Sequence, residues 1–197
     1  MIIGLTGGMG CGKSTVTQMI RERGFRSIDS DALVRDHILK ERDIVAQARE
    51  RWGDDILNTA GELDRSALAK RVFAEDQERK TLESWVHPRV FDHWREALRS
   101  APEADWVIEV PLLFEKSLEN WFDFIWCVAS SAEVQLARLS ERGISHALAG
   151  QRISKQLPLA RKLELADVVL WNDGSLSFLE QQVDQALTQL TTSGSAK

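Results

Sequence analysis

The sequence predicts an α/β fold: a doubly wound, mostly parallel five-stranded sheet with a helical insertion after the second strand and a basic lid. Three observations predict it. A glycine motif, Gly7-Gly8-Met9-Gly10-Cys11-Gly12-Lys13-Ser14, follows a short apolar run at the amino terminus. Short β-rich apolar runs alternate with helical patterns, the order that builds a parallel sheet with ligands at its carboxyl ends. One interval breaks the alternation: between Asp31 and Asp105 the pattern is helical nearly throughout, too long for a simple crossover.

The first strand is expected over residues 2–6, directly before the glycine motif. That motif fits G-x-x-x-x-G-K-[ST] in the strand–loop–helix context it needs, and it predicts a nucleotide-binding P-loop. Glycines let the backbone turn tightly around an anion, and the positive end of the following helix, expected over 13–23, adds to the attraction. Within it Gly8, Gly10, Cys11, Gly12, Lys13, Ser14 and Thr15 are candidate ATP contacts. Lys13 reaches for the β- and γ-phosphates, and the Ser14 hydroxyl for Mg²⁺.

The second strand is expected over 25–29, and Asp29-Ser30-Asp31 follows it. A carboxylate that accepts a hydroxyl proton helps phosphoryl transfer, and Asp31 is the better placed to meet an acceptor. The other reading of Asp31 is a helix N-cap. In the helical interval, Leu82, Trp85, Val86, Val90, Trp94 and Leu98 form one apolar stripe. His87-Pro88 is expected to interrupt it, and the surroundings of Gly53 and Gly61 read as turns.

Strands are expected again over 106–110, 124–129 and 168–171. Glu109 is a charge inside an apolar strand, which needs either a cation or a water on Mg²⁺. From Arg138 to Lys162, six basic residues stand against one acid, Glu141. The block reads either as a solvated helical face or as a polyanion-binding lid that hinges near Gly143 and Gly150. Trp171, beside Asn172-Asp173-Gly174, either borders a base pocket or belongs to the core. A last helix is expected over 176–190, then a flexible tail over 191–197. The division is thus one domain over 1–190, holding the insertion at 32–105 and the lid at 138–162.

Composition narrows the function. A net charge of −5 argues against a general nucleic-acid binder. No apolar run has the length of a membrane span, and the opening residues are committed to a strand rather than a signal peptide. Two distant cysteines, Cys11 and Cys127, argue against a disulfide framework and for a reducing cytoplasm. Cys11, among loop N–H groups and close to Lys13, reads either as the more acidic and reactive thiol or as a small residue tolerated where Ser would do. No second His stands at ligand spacing from His87, so a structural zinc site is not expected.

Neither D-x-x-G with N-K-x-D, needed for a regulatory GTPase, nor any mark of a translocating ATPase assembly occurs. A P-loop, an insertion after the second strand and a basic lid, in that order, suit a small-molecule kinase. Further marks follow in order: Ile28-Asp-Ser-Asp31 with Arg35, Leu63-Asp-Arg65 with Val72-Phe73, His87-Pro88, Pro111-Leu-Leu-Phe-Glu115, Gln135 with Arg138, Gln156, Ala166-Asp167, Asn172 and Gly174. With the P-loop, these residues resemble the dephospho-CoA kinase family from Ile3 to about Gly174. The resemblance implies a P-loop kinase fold and ATP-dependent, Mg²⁺-assisted phosphorylation of the ribose 3′-hydroxyl of dephospho-CoA. It implies Asp31 as catalytic carboxylate with Arg35 beside it, Arg65 and His87 as acceptor-binding residues, Arg138 and Arg142 as lid or nucleotide contacts, and Asn172 near the adenine. Cys11 and Ser30 stand where the family often has Ser and Ala. A monomer is expected, with an oligomer left open; the alternative is another P-loop kinase, such as a nucleoside monophosphate kinase.

Overall fold

The structure, a computed structural model, describes the backbone of residues 1–194 and the side chains of residues 1–190. Two compact units divide the chain. The first comprises Met1–Ile28 and the chain from Glu103 onward; the second is Asp29–Pro102.

The first unit is built on five strands, β1 (Ile2–Gly7), β2 (Arg26–Asp29), β3 (Trp106–Glu109), β4 (Phe124–Ala129) and β5 (Val168–Trp171). Their spatial order is β2-β3-β1-β4-β5. β1 is central and pairs in parallel with β3 and β4, and β4 pairs in parallel with β5. A strand covered on both faces must be apolar in nearly every residue, and β1, β3 and β4 are. Ile3, Leu5, Val107, Trp126 and Val128 are wholly buried, joined by Val16 and Ile20 of α1 (Lys13–Glu22) and Leu179 and Val183 of α9 (Leu176–Gly194). Each aliphatic side chain so removed from water contributes about 2 kcal/mol. The edge strand β5 is blunted by Gln182, whose side-chain amide accepts from the Trp171 N–H and donates to its carbonyl, both at 2.9 Å. Helices α6 (Ala132–Glu141), α7 (His146–Ile153) and α8 (Leu159–Leu165) lie between β4 and β5 in the chain. α9 continues to Gly194, beyond the tail boundary expected at 191; residues 195–197 lie outside the described residues.

The second unit is helical: α2 (Ser30–Asp36), α3 (Arg42–Trp52), α4 (Arg65–Ala74) and α5 (Asp76–Ser100). A single antiparallel bridge, Leu57 to Leu63, closes the turn at Gly61. The apolar stripe buries Val86, Val90 and Trp94, and α5 packs on α3 and on the turn at Ile38–Lys40, where Ile38, Ile44, Ala48 and Trp52 are buried as well. The interruption expected at His87-Pro88 is not there, because α5 runs through Pro88 without a break. Proline in a helix costs about 3 kcal/mol. The buried stripe on both sides holds the helix together, and Pro88 is exposed, on the face where the backbone can tilt toward water.

Glu78 joins the start of α5 to the end of α3. It accepts from Arg51 Nη2 at 2.7 Å and from Trp52 Nε1 at 2.6 Å. These bonds, Arg51 first, hold its carboxyl below the ordinary glutamate range. A folded pKa below the unfolded one gives stability that is present above the ordinary range and lost as pH falls through it. Glu78→Gln should therefore melt below the wild type at pH 7, with the gap narrowing as pH falls below about 4. Thermal melts across that range check this, and a gap independent of pH contradicts it.

Candidate functional site

The phosphate loop of the first unit is shaped by where its carbonyls are held. Gly12 has φ +93°, and a Cβ there would lie 2.2 Å from Asn172 Nδ2, so no other residue fits without displacement. A Cβ on Gly8 would meet Cys11 Sγ at 2.8 Å and Gln135 Oε1 at 2.9 Å. Asn172, buried just after β5, donates from Nδ2 to the Cys11 carbonyl at 2.8 Å. In a planar trans peptide this turns the Gly12 N–H away from Asn172. Arg138 of α6 donates to the Asn172 carbonyl at 2.8 Å, to Ser130 Oγ at 3.1 Å and, more weakly, to the Gly10 carbonyl at 3.5 Å. Ser130 Oγ donates to the Asn172 carbonyl at 3.0 Å, and Gln135 Nε2 to the Ser130 carbonyl at 2.8 Å. Lys13 Nζ donates back to the carbonyls of Gly8 and Gly7 at 3.1 and 3.4 Å.

The loop opens into α1, whose first turn has no acidic residue and whose cap, Gly12, offers no side chain. The positive end of α1 is thus left for an anion. Ser14 is exposed in that turn. Thr17, one turn on, donates to Glu109 Oε2 at 3.2 Å, and Glu109 is buried at the end of β3. Ser14 and Glu109 are hard oxygen donors, which suit Mg²⁺ with waters completing its shell. No cluster of three or more His, Cys, Asp or Glu among the described residues is arranged to hold a metal by itself.

The basic block differs from its reading as one continuous lid. Arg138 is half-buried with its guanidinium spent on the phosphate loop and the end of β5, and Lys162 is wholly buried in α8. Arg161 is paired with Glu164. Arg142, Arg152 and Lys155 are exposed, Arg142 directly before Gly143 at φ +76°. Trp171 is exposed rather than core. A cleft of about 470 Å³ on the outer face of α6 carries Glu133 and Glu141, which repel a triphosphate.

In the second unit, Asp29 caps α2 by accepting from the Ala32 N–H at 2.9 Å. The cap reading of Asp31 is therefore wrong: Asp31 lies in the first turn, exposed. Arg35, one turn on, is gripped by Asp36 at 2.6 and 2.9 Å. A cleft of about 310 Å³ is lined by the cations Arg35, Lys40 and Arg65 and the acids Glu62 and Asp64, the latter engaged as the cap of α4, with Leu39, Leu63 and Asn58. It unites two of the expected acceptor residues, Arg35 and Arg65; His87 is not among its lining residues and stacks obliquely on Phe91, 6.3 Å between centroids. Lys40 escaped the sequence reading. It ends a short 3₁₀ turn, Ile38–Lys40, whose phase relative to α2 no periodicity reveals.

Of the two readings of Cys11, the structure favours the packed residue over the reactive thiol. Cys11 is 0% exposed, and burial pushes its pKa up, outweighing the opposing pull of Lys13. Cys127 in β4 is pushed up further, to about 12, again chiefly by burial. A raised thiol pKa leaves both cysteines protonated at neutral pH. Iodoacetamide should label both slowly in the native protein and fast after denaturation, read by mass spectrometry. Fast native labelling of Cys11 contradicts this.

A family model described as dephospho-CoA kinase matches residues 1–177. The dephospho-CoA kinase of Thermosynechococcus vestitus is 43% identical over 98% of this chain and 96% of its own. A crystal structure from Thermus thermophilus superposes with a TM-score of 0.78 at 35% identity, covering 96% of this chain and 97% of that one. The dephospho-CoA kinase of Campylobacter jejuni has the same fold, with a TM-score of 0.73 at 24% identity over 98% of both chains.

Proposed function

The chain belongs to the dephospho-CoA kinase family, and from that membership we propose the roles its residues play. It transfers the γ-phosphate of ATP to the ribose 3′-hydroxyl of dephospho-CoA, giving coenzyme A. The observation that carries the donor side is the phosphate loop, with its carbonyls engaged by Asn172, Arg138 and Lys13 and an uncapped, acid-free helix end beside it. Gly8, Gly10, Gly12 and Thr15 belong to that cradle. Lys13 exchanges its bonds to loop carbonyls for the β- and γ-phosphate oxygens and balances their charge during transfer. Ser14, with Glu109 acting through water, would hold Mg²⁺, which supplies charge neutralisation and alignment of the phosphates.

On the acceptor side, Asp31 takes the proton of the 3′-hydroxyl as the new P–O bond forms, and ADP leaves with the electrons of the broken bond. The exposed carboxylate in the first turn of α2, relieved of capping duty by Asp29, supports this role. Arg35, Lys40 and Arg65 supply cationic donors matched to the phosphates of the acceptor. His87 is kept as an acceptor residue on the family resemblance alone. Arg142 borders a lid that excludes water during transfer. Free thiols at Cys11 and Cys127 suit a cytoplasmic enzyme.

Two variants and an acceptor panel test these roles. Asp31→Asn should leave the ATP Kd unchanged while kcat falls by about 10²-fold. Arg65→Ala should raise the KM for dephospho-CoA and spare that for ATP. The wild type should consume ATP with dephospho-CoA and not with shikimate, gluconate or nucleoside monophosphates. Near-normal turnover of Asp31→Asn removes its catalytic role, and efficient phosphorylation of a nucleoside monophosphate removes the substrate assignment.

A further inference from the structure

Lys162 lies within the stretch that charge counting assigns to a solvent-facing lid, yet it is 0% exposed. Its Nζ donates to the Pro111 carbonyl at 2.7 Å and pairs with Glu115 Oε1 at 2.9 Å. The same Oε1 accepts from the N–H of Leu157 at 2.8 Å. Leu157 sits in the connection from α7 to α8, just before Pro158 caps α8. The Pro111 carbonyl accepts a second bond, from Thr6 Oγ1 in β1, at 3.3 Å. Pro111 stands two residues past Glu109, and the Val110 N–H donates to the Leu5 carbonyl at 2.8 Å.

One ammonium group thus ties together three stretches: the strand that feeds the phosphate loop, the exit of β3 behind Glu109, and the return of the basic segment. The arrangement is costly. Glu115 Oε2 is also buried and meets no donor among the described residues. Buried ion pairs are a poor source of net stability, and an apolar pair of similar volume would avoid the desolvation. What the pair supplies, and an apolar pair would not, is a fixed direction for the Leu157 N–H and the Pro111 carbonyl.

We infer that Lys162 and Glu115 are positioning residues for phosphoryl transfer, a latch that fixes the return end of the lid to the exit of β3. The inference rests on the lid proposed above and redraws its limits. The moving part runs from Gly143, exposed in the left-handed region, to residue 156, and it carries Arg152 and Lys155. Arg138 anchors the chain before it and Lys162 the chain after it. With the latch released, these cations lose their alignment on the triphosphate and water enters.

The test compares Lys162→Met, Glu115→Gln and the double variant with the wild type. Glu115→Gln keeps an acceptor for the Leu157 N–H, and the double variant leaves no unpaired buried charge, so it folds if either single variant does not. Lys162→Met should lower kcat by about 10- to 100-fold, the scale of a small misplacement. ADP should be released in excess of coenzyme A, and Glu115→Gln should be milder. Hydrogen exchange with ADP and dephospho-CoA bound should show protection of residues 143–157 in the wild type and its loss in Lys162→Met. A merely structural role lowers the melting temperature and the active fraction, and leaves ADP and product equal. Equal ADP and product in every folded variant, with wild-type-like protection, overturns the latch and leaves the lid. Absence of ligand-dependent protection in the wild type removes the lid and the latch with it.

Discussion

A loop that binds a triphosphate must keep its N–H groups turned toward the ligand, which means its carbonyls must be held elsewhere. Backbone carbonyls left near a polyanion repel it, and a glycine-rich loop has little intrinsic preference for either orientation. In this chain the holding groups come from distant sequence: Asn172 on the Cys11 carbonyl and Arg138 toward the Gly10 carbonyl. Asn172 is itself gripped through its own carbonyl by Arg138 and Ser130. The loop is therefore pre-organised by α6 and by the residue after β5, and binding need not pay to order it. The parallel sheet matters for the same reason, because β1, β4 and β5 in register bring residues 7–12, 130 and 172 into reach.

Cationic residues do two different jobs in this molecule. Arg138 and Lys162 are drawn into the protein and used as multi-pronged hydrogen-bond donors to carbonyls, where their charge helps hold backbone in place. Arg35, Lys40 and Arg65 instead line a cleft of the second unit, where they remain available to an anionic ligand. Arg35 is shared with Asp36, whose two hydrogen bonds orient its guanidinium.

Much of this was legible in the sequence, and the parts that were not share a cause. The P-loop was readable because its geometry demands glycine at fixed spacing. β1, β3 and β4 were readable because burial on both faces demands apolar runs, and the edge strands β2 and β5 as short β-rich runs, with β4 and β5 expected at their observed limits. Local pattern carries no information on what a side chain meets across the fold. Charge counting placed Arg138 and Lys162 with the exposed residues of the block, since burial of a cation depends on carbonyls far away in the chain. Cys11 has every local feature of an acidic thiol, and tertiary burial reverses them. Asp31 and Asp29 both suit an N-cap, and a two-residue difference in where α2 begins decides between them. Pro88 signals a helix break that the packed stripe of α5 overrides.

At the centre of the donor site is the hold of Asn172 on the phosphate loop through the Cys11 carbonyl. Binding of Mg²⁺ complexes of ATP and of inorganic tripolyphosphate to Asn172→Ala, measured by calorimetry beside the wild type, tests it most directly. Freed from its clamp, the loop should lose affinity for both ligands by the same factor, about 10-fold for one buried hydrogen bond to a backbone carbonyl. A loss for ATP with tripolyphosphate binding unchanged would contradict the account and make Asn172 a reader of the base.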